Sequence, residues 1–271
     1  MMINILVVIY NKSFSESKTL VAIEATAKTG LLKPFKLLIW DNSPVKINEV
    51  ELDQLKGHLQ DITVIHTPEN LPLSKIYNRV IDHHINSDDY LMLLDHDTFV
   101  TEKYFLEIID KINGQDSPDL LLPRILVNGN IESPALQYVL FAKRWKEDLP
   151  GYYDTKHVTA INSGMVISAR FFSSGFRYDE RLLFYGTDTY MMYKYSGDNK
   201  KFYLLNTSLK HDLNLLSNPS VTQKAKVFRA IKQANLIVYS SSRWYSVLTR
   251  INNLIIAVKY VVKYRSLIFF K

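Results

Sequence analysis

Two carboxylates two positions apart, Asp95 and Asp97, stand directly after the apolar run Tyr90-Leu91-Met92-Leu93-Leu94. A short apolar run of this kind reads as a buried strand, and polar residues at its carboxyl end fall where open α/β sheets bind ligands. A pair of oxygen donors held there suits one hard cation, Mg²⁺ or Mn²⁺, which keeps its other positions for water or phosphate oxygens. The chain has no cysteine, so any metal must be held by oxygen or imidazole. As a bare tripeptide Asp95-His96-Asp97 also suits a turn, and Thr98 could cap a following helix. Its place at a strand end is what points to chemistry.

The elements that would position this pair alternate in type. Ile3–Ile9 reads as a strand, 15–30 as a helix closed by Gly30, and Leu37–Trp40 as a second strand stopping at Asp41-Asn42-Ser43-Pro44. A helical stretch near 48–59, a third strand at Ile62–His66, a helix over 72–85 and the strand Tyr90–Leu94 follow. Further on, the spacing predicts a helix over 99–112, a strand over 119–127, loops across 128–158, a strand at Val158–Ser168, a helix over 187–197 and a strand over 201–206. Such alternation predicts a mostly parallel sheet covered by helices, an α/β fold. Tyr10-Asn11, Asp41-Asn42-Ser43 and Asp95-His96-Asp97 then share the ligand-binding edge.

The 271-residue composition, 47% hydrophobic and 22% charged, excludes a disordered or fibrous chain. The net charge of +6 is concentrated at one end. From Leu213 to Lys271 there are ten Lys and Arg and no Asp or Glu, whereas residues 1–212 carry 23 basic against 27 acidic side chains. This basic tail is also aromatic, with Phe228, Tyr239, Trp244, Tyr245, Tyr260, Tyr264, Phe269 and Phe270. Its apolar stretch Ile251–Val262 is too short and interrupted to span a bilayer, and an in-plane amphipathic helix on an anionic membrane surface is the better match. No nucleic-acid recognition motif accompanies the charge. Met1–Tyr10 lacks the basic start and cleavage site of a signal peptide, and the absence of cysteine fits a reducing compartment.

Seven segments in order resemble family 2 glycosyltransferases of the nucleotide-diphospho-sugar-binding GT-A fold, nearest in flavour to bacterial rhamnosyltransferase-like members that build surface polysaccharides. They are Val-Ile-Tyr-Asn (8–11), Trp-Asp-Asn-Ser (40–43), Asn70 through Asn78, Leu-Leu-Asp-His-Asp (93–97), Asn-Ser-Gly (162–164), Phe-Tyr-Gly-Thr-Asp (184–188) and His211. The resemblance implies a transferase domain over 1–215 and a helical, membrane-associating region over 216–271. It implies that Tyr10, Asn11, Asp41 and Asn42 line the nucleoside pocket, with Asp41 accepting from the base, and that Asn70, Asn78, Asp95 and His96 border the nucleotide sugar. Asp95, Asp97 and His211 would hold Mn²⁺ or Mg²⁺, and Asp188 would be the general base.

The activity implied is inverting transfer from a UDP- or dTDP-sugar to a lipid-linked glycan such as O-antigen or capsule, in the cytoplasm at the inner face of the plasma membrane. A cation beside the departing diphosphate and a carboxylate accepting the attacking hydroxyl's proton are the chemistry such residues serve. The chain departs from the pattern at Leu71-Pro72, where family members place Gly two residues after the position of Asn70, and at Thr187-Asp188, where a second carboxylate is common. Asp179-Glu180 offers a rival base, Asp41–Pro44 also suits an Asx turn, and Gly164 suits either close backbone approach to an acceptor or a strand bulge. A sugar nucleotidyltransferase would need a Gly-rich, Arg-containing loop where Asn11-Lys12-Ser13 stands. A non-catalytic membrane- or glycan-binding module would have no need of all three aspartates.

Overall fold

The computed structural model describes residues 1–139, 141–147, 149–211 and 219–270, His211 by its backbone alone. In the first hundred residues β1 (Ile3–Ile9), α1 (Lys18–Ala27), β2 (Phe35–Asp41), β3 (Asp61–His66), α2 (Leu73–His84) and β4 (Tyr90–Asp95) follow one another. β1 pairs in parallel with both β2 and β4, and β2 with β3. The chain continues through β5 (Thr98–Phe99), α3 (Glu102–Asn113), β6 (Leu120–Val127), β7 (Asn130–Ser133), β8 (Ala135–Gln137), β9 (Ala142–Arg144) and β10 (Gly151–Asp154). Then come β11 (Val158–Thr159), β12 (Met165–Ser168), α4 (Ala169–Ser173), α5 (Thr187–Asp198), β13 (Lys201–His211), α6 (Val221–Val238) and α7 (Arg243–Tyr264).

The main sheet runs β10-β13-β6-β12-β4-β1-β2-β3, with β5 on β13 and β7 on β6; β11-β8-β9 form a separate small sheet. It is a mixed, mostly parallel sheet in which β12 lies antiparallel to both β4 and β6. Each face is covered because the strands are apolar on both sides, as buried parallel strands must be. Ile5, Val7 and Ile9 of β1 pack against Leu20 and Ile23 of α1 and Phe105 and Ile108 of α3. Leu6 points the other way, with Ile76, Tyr77 and Val80 of α2 and Met191 and Tyr195 of α5. Burying each such side chain contributes about 1.5–3 kcal/mol.

The alternation expected over 1–127 is present, with differences that have local causes. The segment near 48–59 is a 3₁₀ helix, Glu49–Leu55, rather than a regular helix. Thr98 is buried in β5, and Thr101 caps α3 by accepting from the Tyr104 N–H. Residues 128–158, expected as loops, hold four short strands: β7 folds back on β6, β8 pairs with β9, and β10 pairs with the distant β13. Val158–Ser168 is two strands in different sheets, broken at Gly164. β13 extends beyond residue 206 to His211, and its register shifts between Leu204 and Ser208. Glu107 fixes that irregularity, its carboxylate accepting from the N–H groups of Asn206 at 2.5 Å and Thr207 at 3.0 Å.

α6 and α7 pack on the rest of the fold rather than standing apart. Ala234 and Val238 of α6 join Leu182 in one cluster, to which Tyr190 and Tyr193 of α5 add their rings. A second cluster, Ala225, Phe228, Ala257 and Phe269, ties α6 to α7 and to the 3₁₀ turn Leu267–Phe270. Most of the tail's aromatic rings are therefore spent inside it. Among the described residues no helix is long and apolar enough to cross a membrane.

Gly164 settles the two readings of its position. Its φ of +86° is left-handed, and a Cβ there would meet Pro123 Cγ at 2.7 Å and Leu209 Cδ1 at 2.8 Å, so the close approach is to neighbouring strands. Gly164→Ala combines a left-handed alanine with overpacking and should lower unfolding free energy by about 2–4 kcal/mol in chemical denaturation.

Candidate active site

The Asp95–Thr98 turn is held from two sides. Asp95 lies opposite Val8 at the carboxyl end of β4, and its N–H donates to Ser163 Oγ at 2.9 Å. Ser163 Oγ in turn lies 2.5 Å from Thr98 Oγ1. From the start of α1, Ser17 Oγ and the Thr19 N–H both donate to the His96 carbonyl, at 3.0 and 3.2 Å. The Thr19 hydroxyl accepts from the Thr98 N–H at 3.0 Å and offers its proton to the Asp95 and Thr98 carbonyls. With its backbone committed in this way, the turn keeps the half-buried side chains of Asp95, His96 and Asp97 at the sheet edge.

Asp188 approaches the same region from α5. Gly186, at φ +85°, caps that helix, and Asp188 sits in its first turn, where a carboxylate is favoured by the helix dipole. Its Oδ1 accepts from the Thr189 N–H at 2.7 Å. Burial still pushes the Asp188 carboxyl above the ordinary carboxylate value, the Thr189 bonds offsetting only part of that push. Asn162 links this helix start to the strand-end turn, its Nδ2 donating to Thr187 Oγ1 at 2.9 Å. Its Oδ1 is buried.

Tyr77 of α2 joins the two carboxylates. Burial drives its phenol well above the usual tyrosine value, and the negative charges of Asp95 and Asp188 add to the effect, against a side-chain hydrogen bond with Asn162. The phenol therefore stays protonated and lies within electrostatic reach of both aspartates. Nothing in sequence marked Tyr77, since at its position on α2 it reads as one more apolar core residue.

The proposed nucleoside residues cluster at the ends of β1, β2 and β3. Tyr10 is exposed, and Asn11, at φ +50°, donates its N–H to Ser43 Oγ at 2.8 Å. Asn42 is a buried clamp: its Nδ2 donates to Asn70 Oδ1 and the Leu71 carbonyl, and its Oδ1 accepts from Thr67 Oγ1 and the Leu71 N–H. This explains the departure at Leu71-Pro72. Asn70 itself takes the left-handed turn, at φ +50°, which asparagine tolerates better than most residues. His66, unassigned in sequence, bonds the Ser43 carbonyl through Nε2 at 2.8 Å.

Two expectations change in character. Asp41 has no exposed surface; its Oδ1 and Oδ2 accept from the N–H groups of Ser43 and Ile47, so in this structure it shapes the 41–47 loop instead of facing a base. This is the Asx-turn reading of that segment. Asn78 is turned to the backbone of Tyr178, donating to its carbonyl at 2.9 Å and accepting from its N–H at 2.8 Å. It staples α2 to the chain entering α5 rather than bordering a nucleotide. Of the rival bases, Asp179 is engaged by the Arg181 guanidinium, which holds its carboxyl below the usual value, and Glu180 accepts from Asn78 Nδ2 at 3.3 Å.

The residues fit a divalent cation shared with phosphate. Asp95 and Asp97 are hard oxygen donors two positions apart, and Mg²⁺-type ions are commonly held by one or two carboxylates plus substrate phosphates. Among the described residues no three His, Asp or Glu side chains gather into a self-sufficient metal cage. The third expected ligand, His211, has its backbone registered opposite Thr98, next to Asp97, and its side chain lies outside the described residues.

A mostly parallel sheet with a paired-aspartate turn at one strand end and a carboxylate on the facing helix defines a GT-A type nucleotide-sugar fold. Residues 4–200 match the model of Glycosyl transferase family 2, and the chain belongs to that family. No curated protein matches the sequence. Among solved structures, S. aureus TarS 1–349 aligns with a TM-score of 0.56 at 16% identity, covering 87% of this chain and 66% of that one. The same fragment in complex with UDP-GlcNAc aligns at 0.53 and 14% identity, over 87% and 67% of the two chains. Longer TarS aligns at 0.57 and 14% identity, over 87% of this chain and 40% of its own length. The chain thus spans about two thirds of the TarS fragment, and the likeness is one of fold.

Asn42→Ala would leave the 67–71 turn without its clamp and bury unpaired backbone groups. A loss of about 2–4 kcal/mol in unfolding free energy is expected, measured by denaturant titration.

Proposed function

We propose that this protein transfers a sugar from a nucleoside-diphosphate donor to a hydroxyl of a membrane-held surface glycan, with inversion at the anomeric carbon. One observation carries the reading: consecutive residues tie the two carboxylate-bearing elements together, Ser163 Oγ accepting from the Asp95 N–H at 2.9 Å and Asn162 Nδ2 donating to Thr187 Oγ1, beside Asp188, at 2.9 Å. The diphosphate side and the base would then be neighbours. The TarS fold neighbours in complex with UDP-GlcNAc and with UDP support a uridine nucleotide as first choice of donor.

In this mechanism the acceptor oxygen bonds to the anomeric carbon while the bond from that carbon to the diphosphate breaks. The acceptor proton passes to Asp188, whose Oδ1 is already held by the Thr189 N–H, leaving Oδ2 to receive it. Its raised pKa makes it a stronger base than an ordinary aspartate. Bound by Asp95, Asp97 and His211, Mn²⁺ or Mg²⁺ would supply charge stabilisation to the departing diphosphate. Asn162, its Nδ2 donating to Thr187 Oγ1, would hold the start of α5 against the strand-end turn.

The membrane part of the proposal rests on α7. Trp244, Val247, Ile251, Leu254, Val258 and Val262 are all exposed and recur every three or four residues, forming one apolar stripe. At 3.6 residues per turn, exposed Arg243 and Arg250 flank it on one side and Lys259 and Lys263 on the other. Apolar side chains between two basic margins suit the interface of an anionic bilayer. The arrangement supports peripheral attachment at the cytoplasmic leaflet.

Three variants test this. Asp188→Asn should lower kcat by about 10²–10⁴ while UDP binding persists. A carboxyl whose folded pKa is raised withdraws stability as pH climbs through that pKa, so Asp188→Asn should be no less stable than wild type at neutral pH. The wild-type rate should rise with pH along an acid limb displaced above the ordinary aspartate value. Asp97→Ala should abolish the Mn²⁺-dependent gain in Tm on adding UDP-GlcNAc or UDP; a retained gain would remove the metal from the proposal. In flotation with phosphatidylglycerol vesicles, full-length protein should bind and Leu254→Glu with Val258→Glu should not. Equal binding would discard the membrane assignment.

A further inference from the structure

A cavity of about 570 Å³ lies between the small β11-β8-β9 sheet, α5 and the C-terminal helices. It belongs neither to the strand-end turn nor to the cluster of nucleoside residues. It does adjoin the base: Thr189 lines it, and the Thr189 N–H and hydroxyl both donate to Asp188 Oδ1, at 2.7 and 3.4 Å. We infer that this cavity is the acceptor subsite and takes one or two pyranose rings of a neutral glycan. The inference rests on the transferase reading, since only then is a sugar site next to the helix that carries Asp188 an acceptor site.

The walls fit that ligand. A volume of this size falls within the range of small-molecule sites. On the small-sheet side the Tyr138 ring stacks on Phe141 and lies tilted against His157, with centroids 4.7 and 4.5 Å apart. On the helical side Tyr239 meets Tyr193 and Tyr245 edge to face, at 5.4 and 6.1 Å. Aromatic faces are electron-rich and attract the polarised C–H face of a sugar.

The polar lining is acceptor-rich. Gln137 Nε2 already donates to the Tyr138 carbonyl, Thr155 Oγ1 to that of Asn199 and Ser196 Oγ to that of Tyr193. Their oxygens keep lone pairs for a ligand rich in O–H donors. An alkyl chain would bury those oxygens unpaired, at a cost. Asp154 stands against Lys156 and Lys200 in the lining, too little net charge to require an anion.

The position also fits an acceptor held at a membrane. α7 turns Tyr245 and Leu248 into the cavity and keeps Trp244, Val247 and Ile251 on its outer stripe. Asn252 Nδ2 bonds the Val139 carbonyl at 3.0 Å, locking this helix to the cavity wall. One helix thus carries both the bilayer-facing stripe and part of the sugar site.

The test uses full-length protein and the methyl glycosides of glucose, galactose, rhamnose and N-acetylglucosamine, read by saturation-transfer NMR. At least one glycoside should bind wild type through its ring C–H protons. Tyr245→Phe should keep the affinity within about twofold, and Tyr245→Ala should weaken it about fivefold. Ser196→Trp fills the cavity from α5 and should abolish the signal without depending on loss of an aromatic contact. Absence of binding to every glycoside, or binding undiminished in both Tyr245→Ala and Ser196→Trp, overturns the inference. UDP with Mn²⁺ is measured by thermal shift on the same proteins. If UDP gives no shift while glycoside binding follows the cavity variants, the transferase reading fails and the sugar site stands.

Discussion

The active-site geometry depends on how the backbone of residues 95–98 is satisfied. A chain that reverses at the end of a buried strand leaves N–H and C=O groups without sheet partners, and such groups are costly when buried. Here Ser17, Thr19 and Ser163 bond them with hydroxyls and a backbone N–H from two other elements. The course of the turn is thereby set by groups from outside it, and with it the place of Asp95 and Asp97 at the sheet edge.

The same division of labour runs through the rest of the cleft. Asp41, Asn42 and Asn78 are polar residues at suggestive positions, yet each is engaged by groups of the protein itself. They hold the 41–47 and 67–71 loops and the chain leading to α5. A side chain with every donor and acceptor engaged by a loop costs little to bury and holds that loop in one shape. Asp188 is the opposite case. Its burial is only partly compensated, and the raised pKa that results is the physical basis for assigning it as base.

The C-terminal helices bear on the site because Gly186 lets α6 come close. A Cβ at Gly186 would meet Ala234 Cβ at 2.9 Å, so α6 rests directly on the residue that caps α5. The outer stripe of α7 and the start of α5 are then linked through continuous packing. The basic charge, seen in composition as a property of the tail, is divided between α6 and the two flanks of the α7 stripe.

The amino-acid sequence by itself determined the alternating α/β order, the strand that presents Asp95 and Asp97, the start of α5 at Asp188 and the basic, apolar character of the tail. These depend on local periodicity and on polar residues at element ends, which neighbouring positions encode. Tertiary structure alone decided that Asn78 faces the backbone of Tyr178, that Gly164 is crowded by Pro123 and Leu209, and that Gly151–Asp154 pairs with β13. It alone brought Tyr77 near two aspartates, and Thr189 to the edge of an aromatic cavity. Each of these is a contact between residues tens of positions apart. No periodic pattern records such a contact, because it exists only once the sheet order has set which strand ends meet.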